Sequence, residues 1–379
     1  MRRGAGYRDA RGVSRGIETP AGTAAIRLPE GLDTPVLVVD AARLDANIAR
    51  MAARARAAGV PLRPHAKTHK CAEIARRQLG SGAAGLTVAT LGEAESFAAA
   101  GCDDLFIAYP LWAGGPRAAR IRRLHETVRL RVGVDGMTAA ELLAAATRGA
   151  GPLDVLIEID CGGRRTGVPA EAVAGLAAGC LRLGLNVLGA FTHPGHAYAT
   201  PAGAEPAAAD ERTALAVAGV ALERLLGHPP VLSGGSTPTV VAGVAAPVNE
   251  VRPGTYVFGD RQQTYLSGMS AHDIALVVAA RVVSTPRPGE AVIDAGSKAL
   301  ASDRPAWLEG YGRLLEVPEA TIDAITEEHA LVRGFRHPLA VGDLVGVVPN
   351  HVCTAVNLGT EFAVVADGAV VDLWPVFSR

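Results

Sequence analysis

Between residue 34 and about residue 260 the chain alternates short β-branched or aliphatic runs with alanine-rich stretches of helical period. Strands that are each followed by a helix build a parallel sheet with helices outside, and this pattern constrains the fold more than any other feature. The runs are PVLVVD (35–40), PLRPHAK (61–67), GLTVAT (85–90), LFIAYP (105–110), VRLRVGVD (128–135), DVLIEID (154–160), NVLGAFTH (186–193), PVLSGGS (230–236) and TYVFGD (255–260). After the first run, Asp40 is placed to cap a helix whose Leu44, Ile48, Met51 and Ala55 share one face. A doubly wound dinucleotide fold needs a glycine fingerprint there, and AARLDANI contains no glycine. A closed (β/α)8 TIM-type barrel over residues 34–265 fits the count and the length. Beyond residue 270 short strands separated by Gly, Pro and Asp turns replace the alternation, with few helix signals. They predict a C-terminal β domain over residues 266–379. Residues 1–33, which begin MRRGAGYRDARGVSRG, read as an N-terminal arm.

Composition narrows the function classes. The chain has 379 residues, 49% of them hydrophobic but only 4% aromatic, so the core is expected to be built from small aliphatic side chains. A formal net charge of −1 gives no general attraction to nucleic acid or to a membrane surface. No apolar stretch is long enough to span a bilayer. Five widely spaced cysteines, an odd number, do not make a disulfide framework, so the expected setting is a reducing cytoplasm.

Five short segments carry residues suited to chemistry. In LRPHAKTHK, strand alternation puts Arg63, His65 and Lys67 on one face. At the carboxyl end of a barrel strand that face meets the active-site mouth. A partly desolvated lysine there forms Schiff bases, whereas on a loop it is merely solvated. SGGSTPT (233–239) brings Gly235, Ser236 and Thr237 to a turn late in the barrel, which reads equally as a phosphate cradle or an ordinary strand–helix turn. DCGGRRTG (160–167) places Arg165 near the same mouth, as an anion fork or a solvated side chain. THPGHAY (192–198) offers His193, His196 and Tyr198 as a base or as a ring contact. In PNHVCTAVN (349–357), His351 and Cys353 point the same way if the segment is a strand. Imidazole and thiolate suit zinc, while the plain alternative is a buried cysteine beside a surface histidine.

Taken together, RPHAKTHK, VATLGEAE, SGGSTPT, RPGTYVFGD, EEHALV and PNHVC resemble, in content and order, the D-threonine aldolase/D-serine dehydratase family of fold type III pyridoxal phosphate enzymes. The resemblance implies an alanine racemase-like barrel plus a C-terminal β domain, assembled as a homodimer. It implies pyridoxal 5'-phosphate on Lys67, with Ser236, Thr237, Gly254 and Thr255 at phosphate-binding positions and with His65, Arg165, Tyr198, Gly235 and Tyr256 near the cofactor. His351 and Cys353 match the metal pair for Zn2+ or another divalent metal, and the cysteine leans toward the dehydratases. The implied activity is loss of water from a D-3-hydroxy amino acid such as D-serine, with Lys67, His193 and His196 as candidate catalytic groups. The alternative is D-threonine aldolase-like retro-aldol cleavage. A racemase or a non-enzymatic carrier of the cofactor explains less of the pattern.

Overall fold

The computed structural model describes residues 26–336 and 338–378, so most of the expected N-terminal arm lies outside the described residues. The first strand, β1 (Val36–Asp40), leads into the helix Ala41–Ala57. Asp40 caps that helix by accepting a hydrogen bond from Arg43 N–H (3.0 Å), and Leu44, Ile48, Met51 and Ala55 are buried. Seven parallel strands follow: β2 (Leu86–Val88), β3 (Asp104–Pro110), β4 (Arg129–Val134), β5 (Asp154–Glu158), β6 (Asn186–Phe191), β7 (Val231–Gly234) and β8 (Glu250–Val251). They pair in chain order, with helices between most of them.

The stretch 61–65 closes this curl into a barrel. On one side Arg63 N–H donates to the Val251 carbonyl (2.9 Å) and His65 N–H to that of Pro253 (3.0 Å). On the other, Thr87 N–H donates to the Pro64 carbonyl and Ala84 N–H to that of Leu62, both at 2.8 Å. Pro61 and Pro64 have no N–H, so this eighth stave pairs through isolated bridges rather than a continuous ladder.

Two of the runs read as barrel strands have other places. β1 lies in a second sheet, which also contains β9 (Leu276–Arg287), β10 (Glu290–Ile293), β11 (Gly312–Leu314), β12 (Thr321–Ile325), β13 (Ala330–Arg333), β14 (Leu344–Pro349), β15 (Glu361–Ala366) and β16 (Ala369–Pro375). There β1 runs antiparallel to β9 and parallel to β15, with Leu37, Val38 and Val39 buried. The other run, TYVFGD, is a 3-10 turn over Thr255–Val257. Gly259 follows at φ +68° and its N–H returns to the Thr255 carbonyl (2.8 Å), which an extended strand does not allow.

A buried ion cluster fills the barrel interior beneath the mouth. Arg63, only 1% exposed, bonds Asp104 through Nη1 (2.6 Å) and Glu250 through Nε (2.9 Å), and Arg131 reaches both carboxylates (3.3 and 3.4 Å). Arg63 is therefore committed to carboxylates at the start of β3 and β8, and the expectation that it shares one face with His65 and Lys67 is corrected, since those two line the cavity at the mouth and Arg63 does not. Among the described residues, no helix is long and apolar enough to cross a membrane.

Candidate active site

A cavity of about 630 Å³ opens where the strand ends of the barrel meet the second sheet. Lys67, His65, Arg165, His193, Tyr198, Gly235, Ser236, Thr237, Gly254, Thr255, His351 and Cys353 all line it. Chain segments separated by almost three hundred positions thus face one space. Lys67 is half-buried in the short 3-10 turn Ala66–Thr68, not in a regular strand. The turn follows from the irregular eighth stave, and it swings Lys67 from the barrel interior to the mouth.

The histidines around Lys67 are held neutral. Burial pushes the His65 pKa well below its ordinary value, and the positive charges of Lys67 and Arg252 push it the same way. His193 is lowered well below its ordinary value by burial, then by Lys67 and Arg165. His65 Nδ1 is buried without a hydrogen-bond partner. An orphaned ring nitrogen in a cavity wall is a place for a ligand atom.

The glycine-rich turn is built around a helix start. Ser236 caps the helix Thr237–Ala242 in a capping box with Thr239. The amide of Gly235 donates to buried Glu211 Oε1 (2.6 Å) and that of Ser236 to Thr239 Oγ1 (2.9 Å), so neither is free for a phosphate. A cradle at this turn therefore does not draw on these two amides. The unpartnered amides are those of Thr237, Gly254 and Thr255, which have no acceptor among the described residues, and Thr255 Oγ1 is a buried orphan as well. The backbone approaches closely here: a Cβ on Gly254 would meet Thr68 Oγ1 at 2.7 Å, and one on Gly235, at φ +82°, would meet Val240 at 2.6 Å. Converging free donors with no side chain between them fit a phosphate.

His351 and Cys353 do come together, but not on a strand. His351 precedes the helix Val352–Leu358 and Cys353 lies in its first turn. Burial works against both charged forms. Even so, the mutual attraction of the pair holds the His351 pKa well above its ordinary value and the Cys353 thiol below its own. His351 Nδ1 bonds Asp260 Oδ2 (3.2 Å), and the Cys353 sulfur lies 3.3 Å from Thr68 Oγ1, next in sequence to Lys67. Among the described residues no third histidine, cysteine or carboxylate completes a metal cluster. Two protein donors with open positions suit a catalytic divalent ion rather than a closed structural one.

The remaining expected residues divide. Tyr198 faces Thr255 and Gln263 with its phenol pKa raised, first by burial and then by Cys353 and Asp260. Arg165 reaches Glu158 at 3.6 Å while its side chain stays largely exposed to the cavity. His196 is turned out of the cavity toward Asp210 on the helix Ala204–Leu226 (3.1 Å). Tyr256 is directed into the wall, its hydroxyl accepting from Gln78 Nε2 (2.9 Å) and its amide donating to Thr237 Oγ1 (3.2 Å), so it supports the cradle without facing the cofactor space. Sequence reasoning missed Arg252, Asp260, Glu211, Gln262 and Asp303. Arg252 is buried over the Phe106 and Phe191 rings, which pack edge to face on each other, and donates to Ser233 Oγ (2.5 Å) and to the Thr192 carbonyl (2.7 Å). RPGTYVFGD was legible as a segment, but nothing in it singles out Arg252 or Asp260.

Comparison with known proteins agrees with this geometry. Residues 39–262 match the family described as "Alanine racemase, N-terminal domain" and residues 275–365 the "Putative serine dehydratase domain". A D-threo-3-hydroxyaspartate dehydratase from Delftia sp. is 37% identical over 89% of this chain and 96% of its own. A D-threonine aldolase from Arthrobacter sp. is 32% identical over 97% of this chain and 98% of its own. The fold superposes on a cysteine-to-alanine variant of the D-threo-3-hydroxyaspartate dehydratase in the metal-free form, with a TM-score of 0.85 at 33% identity, covering 92% of this chain and 98% of that one. A barrel whose lysine, free amides and strand-end cavity fit pyridoxal phosphate, joined to a second sheet of matching sequence, settles the assignment: the chain belongs to the alanine racemase N-terminal domain family, in the branch of pyridoxal phosphate-dependent lyases.

Proposed function

We propose that the protein removes water from a D-3-hydroxy amino acid, most simply D-serine, to give a 2-oxo acid and ammonia. The observation that carries this reading is the His351–Cys353 pair standing in the same cavity as Lys67. Pyridoxal phosphate, when bound, supplies the electron sink for the charge that develops at Cα. Lys67 Nζ is the amine that anchors it and, once released, the amine placed to hold the proton that leaves Cα. The amides of Thr237, Gly254 and Thr255 bind its phosphate. The neutral rings of His65 and His193 line the space without adding positive charge beside Lys67. Arg165 is the exposed cation left to bind a carboxylate oxygen.

His351 and Cys353 hold a divalent metal, and imidazole with thiolate favours zinc over magnesium or manganese. A Lewis acid at the β-hydroxyl is what elimination needs, because hydroxide leaves poorly. The description of a similar structure as a metal-free form supports a metal in this branch. The resemblance also supports a homodimer.

A second reading is retro-aldol cleavage. His193, neutral and in the cavity, is able to accept a hydroxyl proton at its ring nitrogen, and a D-threonine aldolase is among the relatives. Product analysis separates the two. With zinc and pyridoxal phosphate present, elimination gives pyruvate and ammonia from D-serine and 2-oxobutanoate and ammonia from D-threonine. Glycine and acetaldehyde as the main products from D-threonine would establish the aldolase reading instead. D-threo-3-hydroxyaspartate belongs in the same assay.

A further inference from the structure

We propose that Asp260 is the positioning residue of the metal pair, fixing which ring nitrogen of His351 is free to bind a metal ion. The proposal rests on the reading of His351 and Cys353 as metal donors. Asp260 is completely buried at the end of the barrel segment. Its Oδ1 accepts from Gln263 N–H (2.8 Å) and caps the helix Arg261–Leu266. Its Oδ2 accepts from Val352 N–H (3.0 Å), the first amide of the helix that carries Cys353, and meets His351 Nδ1 at 3.2 Å. One carboxylate therefore ties the barrel to the segment bearing both donors.

The hydrogen-bond inventory sets the direction. An ionised carboxylate only accepts, so the hydrogen of a neutral His351 ring sits on Nδ1 and the lone pair on Nε2. The Nδ1 edge is occupied by Asp260, and His351 and Cys353 line the same cavity, so Nε2 is the nitrogen free for an ion shared with the Cys353 sulfur. A carboxylate behind a ligating imidazole fixes the tautomer and the ring plane, and its loss typically weakens metal binding 10–100-fold.

Asp260→Asn is the discriminating variant, because it keeps the size and one capping oxygen while offering an N–H donor to the other side. Zinc affinity is measured on the pyridoxal phosphate-loaded protein by competition with a chromophoric chelator. The expected result is zinc binding about 10–100-fold weaker, with the cofactor's visible absorbance unchanged. In His351→Ala the further change Asp260→Asn is expected to cost almost nothing, because Asp260 acts through that ring. Unchanged zinc affinity in folded Asp260→Asn, or a loss that persists in full without His351, would overturn the proposal. If Asp260→Asn does not fold, nitrogen NMR of labelled histidine in the zinc-loaded wild type decides. Hydrogen on Nδ1 of His351 supports the proposal and hydrogen on Nε2 refutes it. Zinc binding that is indifferent to His351→Ala would instead refute the metal reading itself, so the two failures are distinguishable.

Discussion

At the residue scale, the choice among lysines near the cavity is decided by what each amine already holds. Lys70 is bonded to Asn357 Oδ1 (2.8 Å), and Lys298 is paired with Glu327 and Glu328 on the surface. Lys67 lines the cavity between neutral histidines and beside the unpartnered amides of Gly254 and Thr255. Lys67→Ala is expected to abolish the visible absorption of the bound cofactor and to lower turnover by at least a thousandfold, because anchor and proton carrier are lost together. Borohydride reduction of the wild type followed by peptide mass spectrometry should find the adduct on Lys67, and an adduct on Lys70 or Lys298 would refute the assignment. Lys67, His351 and Cys353 could be nominated from side-chain type and spacing, but only the motifs taken together, through their family resemblance, favoured them over a solvated lysine and a core cysteine. Arg252, Glu211 and Asp260 were not, because each acquires its role from partners brought in by the fold. A lone charged residue in an apolar segment does not announce those partners.

At the element scale, the helix Ala204–Leu226 holds the glycine turn through one carboxyl group. Glu211 is 3% exposed, and its Oε1 receives the Gly235 amide. Burial raises its pKa to about 7 from 4.5, against the opposing pull of the Gly235 amide and of Arg252 and Arg212. In the unfolded chain the proton leaves near the ordinary value, so between about pH 4.5 and 7 the folded protein binds more protons and stability falls as pH rises. The loss is complete above the folded value and amounts to about 3 kcal/mol. Glu211→Gln keeps an oxygen for the Gly235 amide and removes the charge. In the cofactor-free protein its stability relative to wild type should rise between pH 4.5 and pH 8, as read by urea unfolding at both. An equal difference at the two pH values would show that Glu211 does not titrate there. Secondary structure was less legible than the cavity it builds. TYVFGD has strand composition, yet the flanking glycines fold it into a turn. PNHVC supplies two side chains that line the cavity, His351 and Cys353, but Val352–Leu358 is a helix in a domain whose sequence shows almost no helical period.

At the scale of the whole molecule, barrel and second sheet are interlocked. The alternation of strand and helix made the barrel legible, but an apolar run such as VLVV carries no mark of which sheet will receive it. β1 enters the second sheet between β9 and β15, pairing Val38 with Val277 and Ala363, and the next residue after it begins a helix of the barrel. Lys67 belongs to the barrel and His351 and Cys353 to the other part, so the site exists only while the two stay docked. Val38 is fully buried with Ile274, Val277, Val348 and Val365. Val38→Ala removes two methyl groups and leaves a small cavity, a cost of about 2 kcal/mol. Chains of this length commonly unfold part by part. If β1 locks the parts together, Val38→Ala lowers a single transition, and far-UV circular dichroism and cofactor absorbance at Lys67 shift by the same amount during chemical denaturation. If the second sheet unfolds first while the cofactor band persists, the interlock does not hold and the barrel retains its lysine site alone.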